Sequence, residues 1–226
     1  MTNIRPLDLD SVDQLGPRAR TCVYWQTDGR GDEPTAAVGD PEFEKEAWIS
    51  RVSLEWGVCG QHATFEQRPA GAAVYAPPAM VPRAECFPTS PVGSDAILLA
   101  GLTEEQGAPA GLGTALLAEV VADLRSRGVK AIEAFGVTSG DPGPIKSRDG
   151  CGSDSCVPAA TFLIEHGFTV VAEHETHPRL RLDIDSDHLW KADVERALDQ
   201  LFAEHGFATR RVGELSGATA LGRPPD

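Results

Sequence analysis

The chain is 226 residues long and 41% hydrophobic, with 34 acidic against 20 basic residues and a net charge of −14. This length builds one full core with an appendage but not two large domains. The acidity argues against nucleic acid and anionic membranes as partners and favours a cationic small molecule or basic peptide. There is no apolar run of the roughly 18 residues that a membrane span needs. The opening segment MTNIRPLDLDSVDQL lacks the charged-then-apolar plan of a signal peptide. A cytoplasmic protein is therefore expected. The cysteines are Cys22, Cys59, Cys86, Cys151 and Cys156, an odd set without a secretory signal, which implies reduced thiols. The single Cys151–Cys156 pair has no second pair or histidine cluster beside it, so no metal site is expected.

In chain order, residues 1–20 read as an irregular lead-in, and Cys22 to Trp25 as a first short strand. Residues 27–39 are rich in Gly, Asp and Pro and read as a loop. Asp40-Pro41 opens a helix, a capping carboxylate followed by a proline whose missing N–H costs nothing there. Phe43, Ala47 and Leu54 fall on one stripe of that helix, and Gly57 ends it. Val58 to Phe65 and Ala70 to Ala76 predict two strands around a turn at Gln67-Arg68-Pro69, stopped by Pro77 and Pro78. Residues 79–95 form a proline-studded loop, and the stretch 77–91 is unusually apolar for a loop.

Ala96 to Leu102 is an almost continuous apolar run, as in a strand covered on both faces. A glycine-rich turn, Gly107 to Gly113, leads into a helix from Leu112 to Arg127 with Leu116, Leu117, Val120, Val121 and Leu124 at helical spacing. Val129 to Phe135 is the next strand, so a parallel pair joined by a right-handed crossover is expected. Residues 136–155 make a long loop carrying Lys146 and Arg148. A helix from Cys156 to His166 stops at Gly167. Phe168 to Glu173 and Arg179 to Ile184 read as closing strands. An amphipathic helix beginning at Asp187 and a tail over 206–226 complete the chain, giving a main domain at 1–184, a helical appendage at 185–205 and the tail.

The segment Gly107-Ala108-Pro109-Ala110-Gly111-Leu112-Gly113-Thr114 carries the functional signal. A glycine turn between a buried strand and a helix presents backbone N–H groups at the positive end of the helix dipole, a place for phosphate oxygens. A P-loop reading fails because no lysine follows Gly113. A dinucleotide turn fails because Leu116 stands where a third glycine is needed. The spacing of Gly107, Gly111 and Gly113 also resembles the turn of short-chain dehydrogenases, but that turn follows the first strand and needs a downstream Tyr-x3-Lys pair. Here the tyrosines, Tyr24 and Tyr75, precede it.

A third candidate is the diphosphate of coenzyme A, beside the plain reading of a glycine turn that lets strand and helix pack closely. Over residues 40–184 the order of strand 96–102, the Gly111/Gly113 turn, helix, strand 129–135 and a second helix ending in Gly167-Phe168 resembles the GNAT (Gcn5-related N-acetyltransferase) family. The resemblance implies a mixed, mostly antiparallel α/β sheet with a central parallel strand pair, helices on both faces and an added C-terminal helix. It implies acetyl-CoA as cosubstrate and a primary amine as acceptor, by direct attack, and leaves a homodimer open. The cofactor-binding residues it implies are Leu99, Ala100, Gly101 and Leu102 on the strand, Gly107, Ala108, Ala110, Gly111, Leu112, Gly113 and Thr114 at the turn, and Ala159 and Phe162 on the later helix. The chain departs from the family pattern at Ala108, where Gln or Arg is usual, at Pro109, which has no N–H to give, and at Leu163, where a tyrosine often protonates the leaving thiolate.

Amine acetylation needs a deprotonated amine, a polarised thioester carbonyl and a proton for the departing thiolate. Glu133, inside the apolar strand Ala131-Ile132-Glu133-Ala134-Phe135, is the first candidate for base or ammonium anchor, because burying it is costly unless it is paired or used. Glu55, beside Trp56, is the second, and His62 is a distant third. Cys156, placed at a helix start where thiol pKa values fall, is a candidate acid or reactive group. The rival reading is a non-catalytic CoA-binding or interaction module.

Overall fold

The computed structural model describes residues 2–28, 39–138, 145–146 and 156–184, all within one compact unit, Met1–Ser186. The helix expected over 185–205, the tail, most of the 27–39 loop, Arg148 and Cys151 lie outside the described residues.

One sheet organises the unit. Its strands are β1 (Thr2–Pro6), β2 (Gly60–Phe65), β3 (Arg68–Ala76), β4 (Ala96–Glu104), β5 (Ala131–Phe135), β6 (Ile145–Lys146), β7 (Thr169–Ala172) and β8 (Arg179–Asp183). They are ordered β1-β2-β3-β4-β5-β8-β7, with β6 also against β4. Pairing is antiparallel except for β4 with β5 and with β6. The helices are α1 (Pro17–Thr21), α2 (Pro41–Glu55), α3 (Leu112–Ser126) and α4 (Ala160–Glu165). Two cores result, one on each face. Trp25, Trp48, Ile49, Val52, Leu98 and Phe135 pack on the α1/α2 face. Leu99, Leu102, Leu116, Val120, Leu124 and Leu163 pack on the α3/α4 face. The mixed α/β sheet with a central parallel pair and helices on both faces is thus the observed architecture.

Local chemistry explains most of the elements. The Asp40 carboxylate accepts from the Phe43 N–H at 3.1 Å, with Pro41 in the first helical turn of α2. Glu66 and Gln67, with φ of 51° and 64°, make the tight turn that joins β2 to β3. Gly128, with φ of 73°, ends α3.

Four expectations are corrected. Residues 2–6 form β1, an edge strand exposed along both faces, which therefore carries no hydrophobic alternation to read. Tyr24–Gln26 is a 3-10 turn rather than a strand. Its apolar side chains join an aromatic stack, with Trp25 5.2 Å from Phe87, and Phe87 4.2 Å from Phe135. On α2, Phe43 and Leu54 are exposed, and Trp48, Ile49 and Val52 are the buried stripe. The later helix starts at Ala160, so Cys156 lies ahead of it instead of in its first turn.

Candidate active site

Strand β4 positions the site. Its parallel pairing with β5 covers Ala96, Ile97 and Leu98 against Ala131, Ile132 and Glu133, and goes no further. Against β3, Val74 faces Gly101 and Tyr75 faces Leu99, so Ala100 is an extra residue, a β-bulge. A one-residue insertion reverses which side chains face which side. Ile97 and Leu99 lie on the α3 face before the bulge, and Leu102 lies on that same face after it. Gly101 and Thr103 are thereby turned to the α1/α2 face, where they line a pocket with Arg18, Cys22, Trp25, Gln26, Lys45 and Cys156. A Cβ added at Gly101 would meet nothing within 4 Å, so the strand backbone is open to that side. Lys45, buried at 5% exposure, donates to Gln26 Oε1 at 3.3 Å.

At the far end of β4 the chain enters the glycine turn. Gly107 and Gly111 adopt φ of 87° and 80°, values that favour glycine, and neither has any atom within 4 Å of an added Cβ. Gly111 caps α3 and offers no side chain to the helix amides. The missing acceptor comes from the strand: Glu104 Oε1 receives the Gly113 N–H at 2.6 Å. The Leu112 N–H goes to Pro109 O and the Ala108 N–H to Glu105 O, at 3.2 and 3.1 Å. Among the described residues, no acceptor meets the N–H of Gly107, Ala110, Gly111 or Thr114. Thr114 Oγ1 contacts His166 Nε2 at 2.8 Å, and His166 Nδ1 contacts Phe162 O at 2.7 Å, tying α4 to the mouth of α3.

No family model matches the chain, and no curated protein matches it. Solved structures do. An N-acetyltransferase from Staphylococcus aureus Mu50 is 12% identical over 82% of this chain and 99% of its own, with a TM-score of 0.50. A protein described as an acetyltransferase of the GNAT family, from Desulfovibrio desulfuricans, is 18% identical over 81% and 99%, with a TM-score of 0.48. The PaiA N-acetyltransferase from Thermoplasma acidophilum, in complex with coenzyme A, is 12% identical over 81% and 99%, with a TM-score of 0.43. The chain has the GNAT fold.

On this GNAT frame the expected site residues separate. Cys156 is buried in the pocket lining, its Sγ 3.5 Å from that of Cys22. Leu99, Leu102 and Leu112 turn their side chains into the α3-face core, leaving only backbone for a ligand, and Ala100 packs on the opposite face. Ala159 and Phe162 are likewise core side chains, with Ala159 bridged to Val137. Glu133, expected as the base, has both of its oxygens engaged, by the Arg179 and Arg181 guanidinium groups and the Gly93 N–H. These ion pairs join β5 to β8. Glu55 is exposed on the last turn of α2 and outside the pocket lining. Arg127 is 3.6 Å above the Trp56 ring and donates to Val58 O and Trp56 O, far from the helix mouth. His62 is buried with neither ring nitrogen paired.

The sequence reading missed Glu104 and Glu105 because it ended the strand at Leu102. Glu105 is half-buried, and burial raises its carboxyl above the ordinary value against the lowering field of Arg18. An expected strand extended by two residues would have ended on Glu104, with Glu105 next in the chain. The pocket faces of Thr103 and Cys22 carried no such signal, since the bulge that turns Thr103 has no mark in the sequence.

Proposed function

We propose that the chain moves an acetyl group from acetyl-CoA to a primary amine. The observation that carries the reading is the break in β4: it bulges at Ala100, leaves β5 after Leu98, and runs into an open glycine turn at the start of a fifteen-residue helix. A strand parted from its neighbour offers unpaired peptide groups to the amide arm of the thioester. The open N–H groups of Gly111 and Thr114, with the helix dipole, suit its diphosphate. Gly107, Ala108, Ala110 and Gly113 frame the same mouth.

The fit is partial. Glu104 already satisfies the Gly113 N–H, so a bound diphosphate meets a carboxylate that must rotate away or be neutralised. Leu163 is fully buried and, being aliphatic, has no proton to give a leaving thiolate. In this reading Cys156 holds the proton delivered to that thiolate, and Glu105, which touches the space around Gly16 and Arg18, takes the proton of the attacking ammonium. The protein's acidity draws a cationic amine toward it, while Arg18 and Lys45 in the lining give donors for an acceptor's oxygen atoms.

The test is calorimetric titration with acetyl-CoA followed by acetyl transfer to a panel of polyamines, amino acids, aminoglycosides and basic and acidic peptides. Glu105→Gln is expected to lower kcat by at least tenfold, in the range of general-base losses, with acetyl-CoA affinity kept. Because Glu105 must be ionised to act, turnover rises with pH through its raised value. Binding without turnover on any amine would instead favour a non-catalytic acetyl-CoA-binding module, the reading that Leu163 and Glu104 support.

A further inference from the structure

Cys22 and Cys156 stand 134 residues apart in the chain, yet their sulfurs meet at 3.5 Å in the wall of the pocket. Both are held from the backbone outward. Cys22 ends α1, its N–H bonded to Arg18 O at 2.9 Å. The Cys156 carbonyl accepts from Trp25 Nε1 at 3.0 Å, and the Trp25 ring lies nearly parallel to those of Phe87 and Phe135, at 5.2 and 6.2 Å, which stack on each other. The two backbones are thus anchored, Cys22 by the end of α1 and Cys156 by the aromatic cluster around Trp25.

The other described thiols are differently placed. Cys59 is fully buried, and burial pushes its thiol up to about 11. Cys86 is exposed and donates to Asp28 O at 2.9 Å. Cys22 is half-exposed and lines the pocket together with Arg18 and Lys45.

We propose that Cys22 and Cys156 are a thiol–disulfide modification site whose bridge closes the pocket. The oxidant is a small disulfide such as glutathione disulfide. The Cys22 thiolate attacks one of its sulfurs, forming a mixed disulfide and releasing one glutathione thiolate. Cys156, having lost its proton, then attacks the Cys22 sulfur and releases the second glutathione. Two thiols are oxidised, one disulfide is reduced to two thiols, and the two protons leave with the glutathione. Closing the contact to a bond of about 2.0 Å takes side-chain rotation at both residues. The bridge ties α1 to the segment leading into α4 across Gly101 and Thr103. It also removes the Cys156 proton, a consequence that rests on the acetyl-transfer reading above.

The test uses the full chain equilibrated in glutathione redox buffers and quenched with N-ethylmaleimide. Intact mass is expected to show loss of two hydrogen atoms, and a non-reducing peptide map to place the bond between Cys22 and Cys156. Cys22→Ser and Cys156→Ser should each abolish it. The oxidised protein should melt higher than the reduced one, because a long loop is closed, and dithiothreitol should reverse the shift. Glutathione adducts alone, a bond to another cysteine, or a lowered melting midpoint would overturn the proposal. Acetylated product, followed by mass spectrometry, should fall at least tenfold on oxidation and return on reduction; unchanged turnover in the bridged form would overturn the closing of the pocket. If the reduced protein acetylates nothing, the functional reading fails, while the mass and the peptide map still decide the bridge.

Discussion

The Glu104 carboxylate lies 2.6 Å from the Gly113 N–H, at the point where a diphosphate would bring its own negative charge. Two anions cannot share one helix end without cost, and a single charge there is worth about 1 kcal/mol. Glu104→Gln is expected to tighten acetyl-CoA binding by about fivefold and to lower the melting midpoint slightly, since α3 loses its charged cap; equal affinities in calorimetry would show that Glu104 moves aside freely. His62 is a second residue whose setting decides its behaviour. Its ring is buried and unpaired, and burial lowers its pKa, with Asp8 opposing and Arg5 adding to the effect. The native state therefore resists a proton that the unfolded chain accepts. Stability is full above the ordinary value of 6.5 and falls as the pH drops below it. His62→Leu should remove that slope and add about 1–3 kcal/mol by deleting an unsatisfied polar ring. Urea midpoints at pH 7 and pH 5.5 check both.

Between elements, the β5–β8 junction and the contact of α3 with the Trp56–Val58 segment ahead of β2 rest on polar contacts. Glu133 binds Arg179 and Arg181 across two strands, and Arg179 also donates to Thr89 O at 2.8 Å. Glu133→Gln should cost about 3 kcal/mol by leaving guanidinium groups underpaired in a buried place, while kcat per folded molecule stays unchanged. A loss of kcat at full stability would restore Glu133 as the base. Arg127 holds the C-terminal end of α3 through Trp56, Val58 and Asp123. Arg127→Ala should cost about 2 kcal/mol from the cation–π contact and two carbonyl bonds, read as a shifted denaturant midpoint. Lys recovers only part, because it lacks the planar fork. These junctions were invisible in sequence, since each joins residues distant along the chain.

For the molecule as a whole, Met1–Ser186 is a compact unit by itself. A chain ending at Ser186 is expected to keep its melting midpoint and its acetyl-CoA affinity; loss of either would give the remaining residues a part in the fold or the site. No helix among the described residues is long and apolar enough to cross a membrane.

Sequence alone determined the parts that local chemistry dictates. The Asp40-Pro41 helix start, the apolar β4 run, the glycine turn and the leucine stripe of α3 are each a pattern of neighbours, and their order implied the fold. Tertiary structure decided the rest. The Ala100 bulge turns Gly101 and Thr103 toward the pocket. Glu133 becomes a strand tie and Glu104 a helix cap. Cys22 meets Cys156 across 134 residues. Each depends on strands brought side by side by the fold, and no local periodicity encodes which distant side chain a buried charge, amide or thiol will face.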